Sequence, residues 1–175
     1  MVIIQEKVAG LSEAALGKFL ARVRRATRLR GAVSVLVTGS RELRGLNHRF
    51  RGTNTPTDVL SFPAMPGLLP RYAGDVAISA EIASRNARLL GHTTAEEIRI
   101  LTLHGLLHLA GYDHERDDGE MERMEARLRK SFGLPAGLIE RSAQPARRAL
   151  IPHKSKSSGR IRKPVASTRS KQASP

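Results

Sequence analysis

The spacing of apolar residues changes several times along the chain, and each change marks an element. Residues 2–8 read as a first strand. Leu16, Phe19, Leu20 and Val23 then recur at helical spacing, with Arg22, Arg24, Arg25 and Arg28 on the opposite face. Ser12 suits the N-cap of this helix, Leu11 and Leu16 are placed as a hydrophobic staple, and Gly31 can stop it. Residues 33–38 (VSVLVT) read as a strand, followed by a short helix capped by Ser40 and running through Leu43, Leu46 and Asn47. Residues 51–56 read as loop, 58–62 as a strand, 64–73 as a Pro/Gly-rich loop, and 75–78 as another short strand.

Three further helices follow. Residues 79–90 form one, ended by Gly91. Thr94 and Glu97 make a capping-box pair that opens a helix running to about Ala110. Asp117 and Glu120 make a second such pair, opening a helix over 118–131 that Gly133-Leu134-Pro135 ends. Strands and helices are thus interleaved, which predicts an α+β or α/β domain: one small mixed sheet with helices packed on it.

Charge divides the chain. Of its 175 residues, 30 are Lys or Arg and 16 are Asp or Glu, a formal net charge of +14. Residues 141–175 carry 10 of the basic residues and no acidic one, leaving 20 basic against 16 acidic residues, a net +4, for residues 1–140. We therefore expect a folded domain over 1–140 and a basic disordered tail over 141–175, too poor in large apolar residues to offset its ordering entropy. The tail reads either as a tether for a phosphate backbone or as a solvated extension. There is no cysteine, which excludes disulfides, thiolate zinc sites and cysteine nucleophiles. The N-terminus lacks the apolar run of a signal peptide, and no stretch reaches the roughly 18–20 apolar residues that span a bilayer. The expectation is a soluble, cytoplasmic protein with no membrane partner.

The candidate chemistry lies in residues 104–114, HGLLHLAGYDH. His104 and His108 are four apart on a predicted helix, so both imidazoles project from one face. Gly111 can take the left-handed conformation that turns the chain back and brings His114 in from a third direction. Three neutral imidazoles hold one zinc ion at about 2.0–2.1 Å and leave a fourth position open, the arrangement of catalytic rather than structural sites. A lone histidine on a helix as apolar as this one (Ile98, Ile100, Leu101, Leu103, Leu106, Leu107) is more often a satisfied core residue. Three of the six histidines within eleven residues, with a turn glycine between them, favour a shared metal. His48, His92 and His153 read as ordinary surface residues. The spacing matches the metzincin pattern H-E-x-x-H-x-x-G-x-x-H, except that Gly105 stands where the general-base Glu of a peptidase belongs.

HGLLHLAGYDHE resembles the signature of the YbeY endoribonuclease family, the bacterial rRNA maturation factors. Two further blocks agree. One runs from Leu46-Asn47 through Phe50-Arg51-Gly52 to Pro56-Thr57-Asp58-Val59-Leu60-Ser61-Phe62-Pro63; the other is Gly74-Asp75-Val76-Ala77-Ile78-Ser79. The resemblance covers residues 1–140, and Phe50 stands where the family often has Tyr. It implies a single α+β domain with a small, mostly parallel sheet beside a metzincin-like metal helix. It implies one zinc ion on His104, His108 and His114, and a functional arginine at Arg51. It also implies single-strand-specific endonuclease action in rRNA maturation, at the 3′ end of 16S rRNA, and in ribosome quality control. The partners implied are rRNA in the small ribosomal subunit, ribosomal proteins and an assembly GTPase.

Arg51 has a planar fork of donors suited to the charge that builds on a phosphodiester under attack; it also reads as an ordinary surface arginine. Asp113 and Glu115 flank His114 and either orient a ligand or sit in solvent. Asp75 either orients a ligand or ends a turn, and Asp58 anchors the loop before its strand. None is assigned a catalytic role. Two other functions fit the residues: a zinc peptidase of metzincin type, weakened by Gly105, and a non-catalytic ribosome-assembly factor whose zinc only holds the fold.

Overall fold

The computed structural model describes residues 1–65, 71–114 and 116–135. All belong to one compact unit, Met1–Pro145. Part of the loop expected over 64–73, Glu115, His153 and the basic tail lie outside the described residues.

The elements run β1 (Val2–Ile4), α1 (Glu13–Ala26), β2 (Ala32–Thr38), α2 (Ser40–Arg51), β3 (Val59–Pro63), β4 (Tyr72–Ser79), α3 (Ala80–Leu90), α4 (Thr94–Leu109) and α5 (Glu120–Phe132). The strands form one sheet in the order β1-β2-β4-β3. β1 pairs with β2 and β2 with β4 in parallel, whereas β3 joins β4 antiparallel at the edge, with Ser61 opposite Val76. This is the α+β domain with a small, mostly parallel mixed sheet that the family resemblance implied.

The two faces of the sheet differ. Val33, Val35 and Val37 of β2 and Val76 and Ile78 of β4 point, by strand alternation, into the main core with Leu16, Phe19, Leu20 and Val23 of α1 and Ile98, Leu101 and Leu106 of α4. The other face is thinner: Leu43 of α2 packs on Leu60 and Ala77, flanked by Leu36, Leu46 and Phe62. α4 runs between the sheet and α1, α3 and α5. That placement explains why it is apolar on nearly every side, since a helix buried all round has no polar face to keep. Each large side chain buried there contributes about 1.5–3 kcal/mol.

Several boundaries differ from the sequence reading, each for a local reason. β1 ends at Ile4 rather than extending to Val8; Leu11 N–H instead closes a turn on the Val8 carbonyl. α1 is capped by Ser12 as expected, its hydroxyl accepting from Ala15 N–H at 3.2 Å. It ends before Gly31, however: Thr27 returns its hydroxyl to the Val23 carbonyl at 3.0 Å, and Arg28 takes a positive φ of 55°. Gly31 has another task. A Cβ there would sit 2.9 Å from the backbone of Tyr72 and Ala73. α2 is capped by Gly39, not Ser40, and continues to Arg51, where Gly52 (φ 68°) ends it. β4 begins at Tyr72, three residues earlier than expected.

The capping box of α4 is Thr93 with Glu96, one residue before the expected pair. Both frames fit the pattern, and burial decides between them. Glu97 points into the core, where its carboxylate meets His92 Nε2 at 2.7 Å, and so is not available to the helix end. This also corrects the reading of His92 as a surface residue: its side chain is 6% exposed. His48 is exposed. At α5 the Asp117 carboxylate reaches the Gly119 and Met121 N–H groups at 2.9 and 3.0 Å, but Gly119 is the N-cap and the helix starts at Glu120.

Candidate metal centre

α4 carries His104 and His108 one turn apart, and its C-terminus sets the position of His114. Tyr112 N–H bonds back to the Leu107 carbonyl at 3.1 Å, and Gly111 N–H to the His108 carbonyl at 3.0 Å. This pair of bonds is a Schellman motif, closed by Gly111 in the left-handed conformation (φ 93°). The chain reverses there, and His114 comes back against the helix it has just left.

The three imidazoles converge. Ring centroids lie 4.8 Å apart for His104 and His108, 5.3 Å for His104 and His114, and 5.2 Å for His108 and His114. One nitrogen from each ring lies within 4.8 Å of the others, and among the described residues no other His, Asp or Glu joins the group. Burial is graded: His104 is buried, His108 partly so, and His114 exposed. The group therefore has one face in the core and one toward solvent.

A residue from another helix orients the innermost ring. Glu125 of α5, buried beside Met121 and Leu128, places Oε2 2.9 Å from His104 Nδ1. A carboxylate accepts, so the proton sits on Nδ1 and the Nε2 lone pair is turned toward His108, whose Nε2 is 3.2 Å away. The sequence reading missed Glu125. Its signal was a lone acid on the apolar stripe Met121, Glu125, Leu128 of an otherwise amphipathic helix.

These residues fit a zinc ion. A tetrahedral ion bound at about 2.0–2.1 Å sets its nitrogens about 3.3–3.4 Å apart, close to the 3.2 Å between the His104 and His108 Nε2 atoms, while all three ligand nitrogens lie within 4.8 Å of one another. His108 is also poised neutral. Burial holds the His108 pKa below the ordinary histidine value, and charge on His104 and His114 would lower it further, outweighing Asp113. Neutral imidazole is the ligating form.

Gly105 follows His104 on the side of α4 facing the sheet. A Cβ built there would lie 2.7 Å from Val76 Cγ1 and 3.0 Å from the Ser61 hydroxyl, and that hydroxyl donates to the Gly105 carbonyl at 3.3 Å. The sheet thus fills the space that a glutamate side chain would occupy. The base of the metzincin pattern is missing for a packing reason.

The remaining candidates are placed elsewhere. Arg51, at the exposed end of α2, donates from Nη2 to the Ser61 carbonyl at 3.4 Å, so it connects to the metal helix through β3 and not through a histidine. Asp75 is exposed on β4 and accepts from the Tyr72 hydroxyl. Burial, then Asp75, raise the Tyr72 pKa. Asp58 anchors its loop, accepting from Val59 N–H at 2.9 Å and from the Asn86 amide at 3.3 Å. Asp113 lies 3.5 Å from Arg116 Nε.

An α+β domain with three histidines gathered on one helix and the turn behind it defines a class: a protein with a preformed group able to hold a metal ion. The comparisons give the family. A family model described as Endoribonuclease YbeY matches residues 2–133. An endoribonuclease YbeY of Koribacter versatilis is 57% identical over 149 residues, 85% of this chain and 96% of that relative. One of Solibacter usitatus is 46% identical over 141 residues, 80% of this chain and 92% of that relative. The solution structure of a Thermotoga maritima protein superposes with a TM-score of 0.52 at 29% identity, covering 82% of this chain and 93% of that one. The chain belongs to the YbeY endoribonuclease family. Among the described residues no helix is long and apolar enough to cross a membrane.

Proposed function

We propose that this protein is a zinc-dependent, single-strand-specific endoribonuclease of the cytoplasm, acting in rRNA maturation at the 3′ end of 16S rRNA and in ribosome quality control. The observation that carries this reading is the convergence of the His104, His108 and His114 nitrogens within 4.8 Å of one another, with one side open to solvent. Bound there, a zinc ion supplies Lewis-acid polarisation of a phosphodiester or of water.

The protein's own groups do the rest. Glu125 holds the Nδ1 proton of His104 and fixes which nitrogen faces the site. Arg51 offers a planar fork of donors to the charge that develops on the non-bridging oxygens. Gly105 leaves the helix without a peptidase base, which favours a phosphodiester substrate over a peptide. The basic tail adds attraction to the phosphate backbone, and ribosomal proteins or an assembly GTPase deliver the small-subunit rRNA.

The test is cleavage of a single-stranded rRNA fragment beside a casein-like protein, using the same zinc-loaded sample. RNA cut and protein intact is the expected result; the reverse would make the chain a peptidase. A second reading, zinc as a purely structural ion in an assembly factor, draws on the Glu125–His104 tie between α5 and α4. A folded His108→Ala variant that loses RNA cleavage yet still supports ribosome assembly would favour it.

A further inference from the structure

Beyond the histidines, the thin face of the sheet holds a cavity of about 690 Å³ between α2 and the β3–β4 edge, lined among others by Leu36, Phe50, Arg51, Phe62, Met65 and Asp75. Its size falls within the roughly 300–1,000 Å³ of small-molecule sites. Phe50 is 58% exposed and Met65 70%, so two of the few large apolar side chains left in water among the described residues line this one cavity. Single exposed apolar residues are unremarkable; an exposed ring with this setting is not. The Phe62 ring meets Phe50 edge-on at 5.2 Å, which braces it. The Arg49 guanidinium lies 5.4 Å from the Phe50 ring centre, and Arg51 follows directly in sequence. Sites for single-stranded nucleic acid combine these same two parts, an aromatic face for a base and cations for the flanking phosphates.

We propose that this cavity is a base-binding subsite, in which one unpaired nucleotide of the RNA strand stacks on Phe50 while Arg49 and Arg51 hold its adjacent phosphates. The inference rests on the RNA substrate proposed above and adds a position for it. Arg51 joins the cavity to β3 and, through Ser61, to the Gly105 carbonyl on the metal helix. A strand gripped at this face is thereby tied to the element that carries His104 and His108. Stacking tolerates every base, so the subsite selects for unpaired strand and not for sequence.

The test uses the full zinc-loaded chain and a cleavage-resistant probe: a 2′-O-methyl phosphorothioate strand of about twelve nucleotides carrying one 2-aminopurine, within the span that such sites engage. Binding should quench the 2-aminopurine. Phe50→Ala and Phe50→Leu should each abolish the quenching and weaken binding about 5- to 150-fold, the loss expected for one stacked base. Phe50→Tyr should restore both. Phe50→Leu keeps an apolar side chain over Phe62, so it guards against a merely unfolded Phe50→Ala. Quenching and affinity unchanged in both variants would overturn the subsite. Cleavage of ordinary RNA by the unaltered protein is read separately. If it is present without quenching, only the subsite fails; if it is absent with quenching intact, only the nuclease reading fails.

Discussion

His104 Nδ1 and Glu125 Oε2, 21 residues apart in the chain and on different helices, meet at 2.9 Å in the core. The carboxylate decides which nitrogen of His104 keeps its proton and therefore which faces His108 and His114. Glu125→Gln keeps the shape and can still bond to His104, but loses the charge that raises the basicity of the ring. Zinc affinity, read by competition with a chelator, should fall about 10- to 100-fold, as for other partners of ligating histidines. Unchanged affinity would make Glu125 a core residue with no bearing on the metal.

Gly105 sets helix propensity against packing. Alanine in a helix interior is worth about 1 kcal/mol over glycine. Against that, the new Cβ would lie 2.7 Å from Val76 Cγ1, on a stiff β-branched residue held in the sheet, and overpacking of this kind costs about 1–3 kcal/mol. The clash should win. Gly105→Ala is expected to lower the denaturant midpoint, and a stabilised variant would show that α4 can lift off the sheet freely.

The site was legible in the sequence to the extent that it is local. His104, Gly111 and His114 fall within eleven residues, so helix periodicity and one turn glycine were enough to bring the rings together. Glu125 comes from a different helix, and only the packing of α5 on α4 reveals its partner. The capping frame of α4 was misread because Thr93/Glu96 and Thr94/Glu97 obey the same pattern. What separates them is the burial of Glu97 against His92, a tertiary fact. The start of β4 was missed because Gly74 resembles a loop residue. In the sheet it has φ 141°, and a Cβ there would lie 2.3 Å from the Phe62 carbonyl oxygen, so it marks a close approach of strands. The thin α2 face gave no periodic signal beyond Leu43 and Leu46, and the cavity beside it was not foreseen.

The depressed pKa of His108 makes the metal-free protein sensitive to acid. The folded value lies below the ordinary one near 6.5, so below that pH the unfolded chain binds more protons than the folded one. The stability that His108 contributes is fully present above about pH 6.5 and is lost as pH falls through that value toward the folded pKa. Urea midpoints of chelated protein should drop between about pH 7.5 and 5.5, and His108→Gln should flatten that part of the profile. The same dependence with and without His108 would assign it to other groups.

Arg51 is proposed to meet the phosphodiester and not to build the fold, since the one hydrogen bond of its guanidinium among the described residues is a long one to the Ser61 carbonyl. Arg51→Ala should lower kcat about 100- to 1,000-fold, the range for removing a preorganised transition-state donor, with zinc content unchanged. Arg51→Lys should recover only part of the loss, because a point charge does not replace a planar fork. Full activity in Arg51→Ala would remove it from the mechanism.

The most direct measurement is a zinc titration of chelated protein, followed by the initial rate of single-stranded RNA cleavage. The rate should start near zero, rise with added ion, and level off at one zinc per chain, and a variant with His104, His108 and His114 all replaced should stay inactive throughout. Cleavage at full rate before any metal is added, or by that triple variant, would contradict a single-ion centre built from the three histidines.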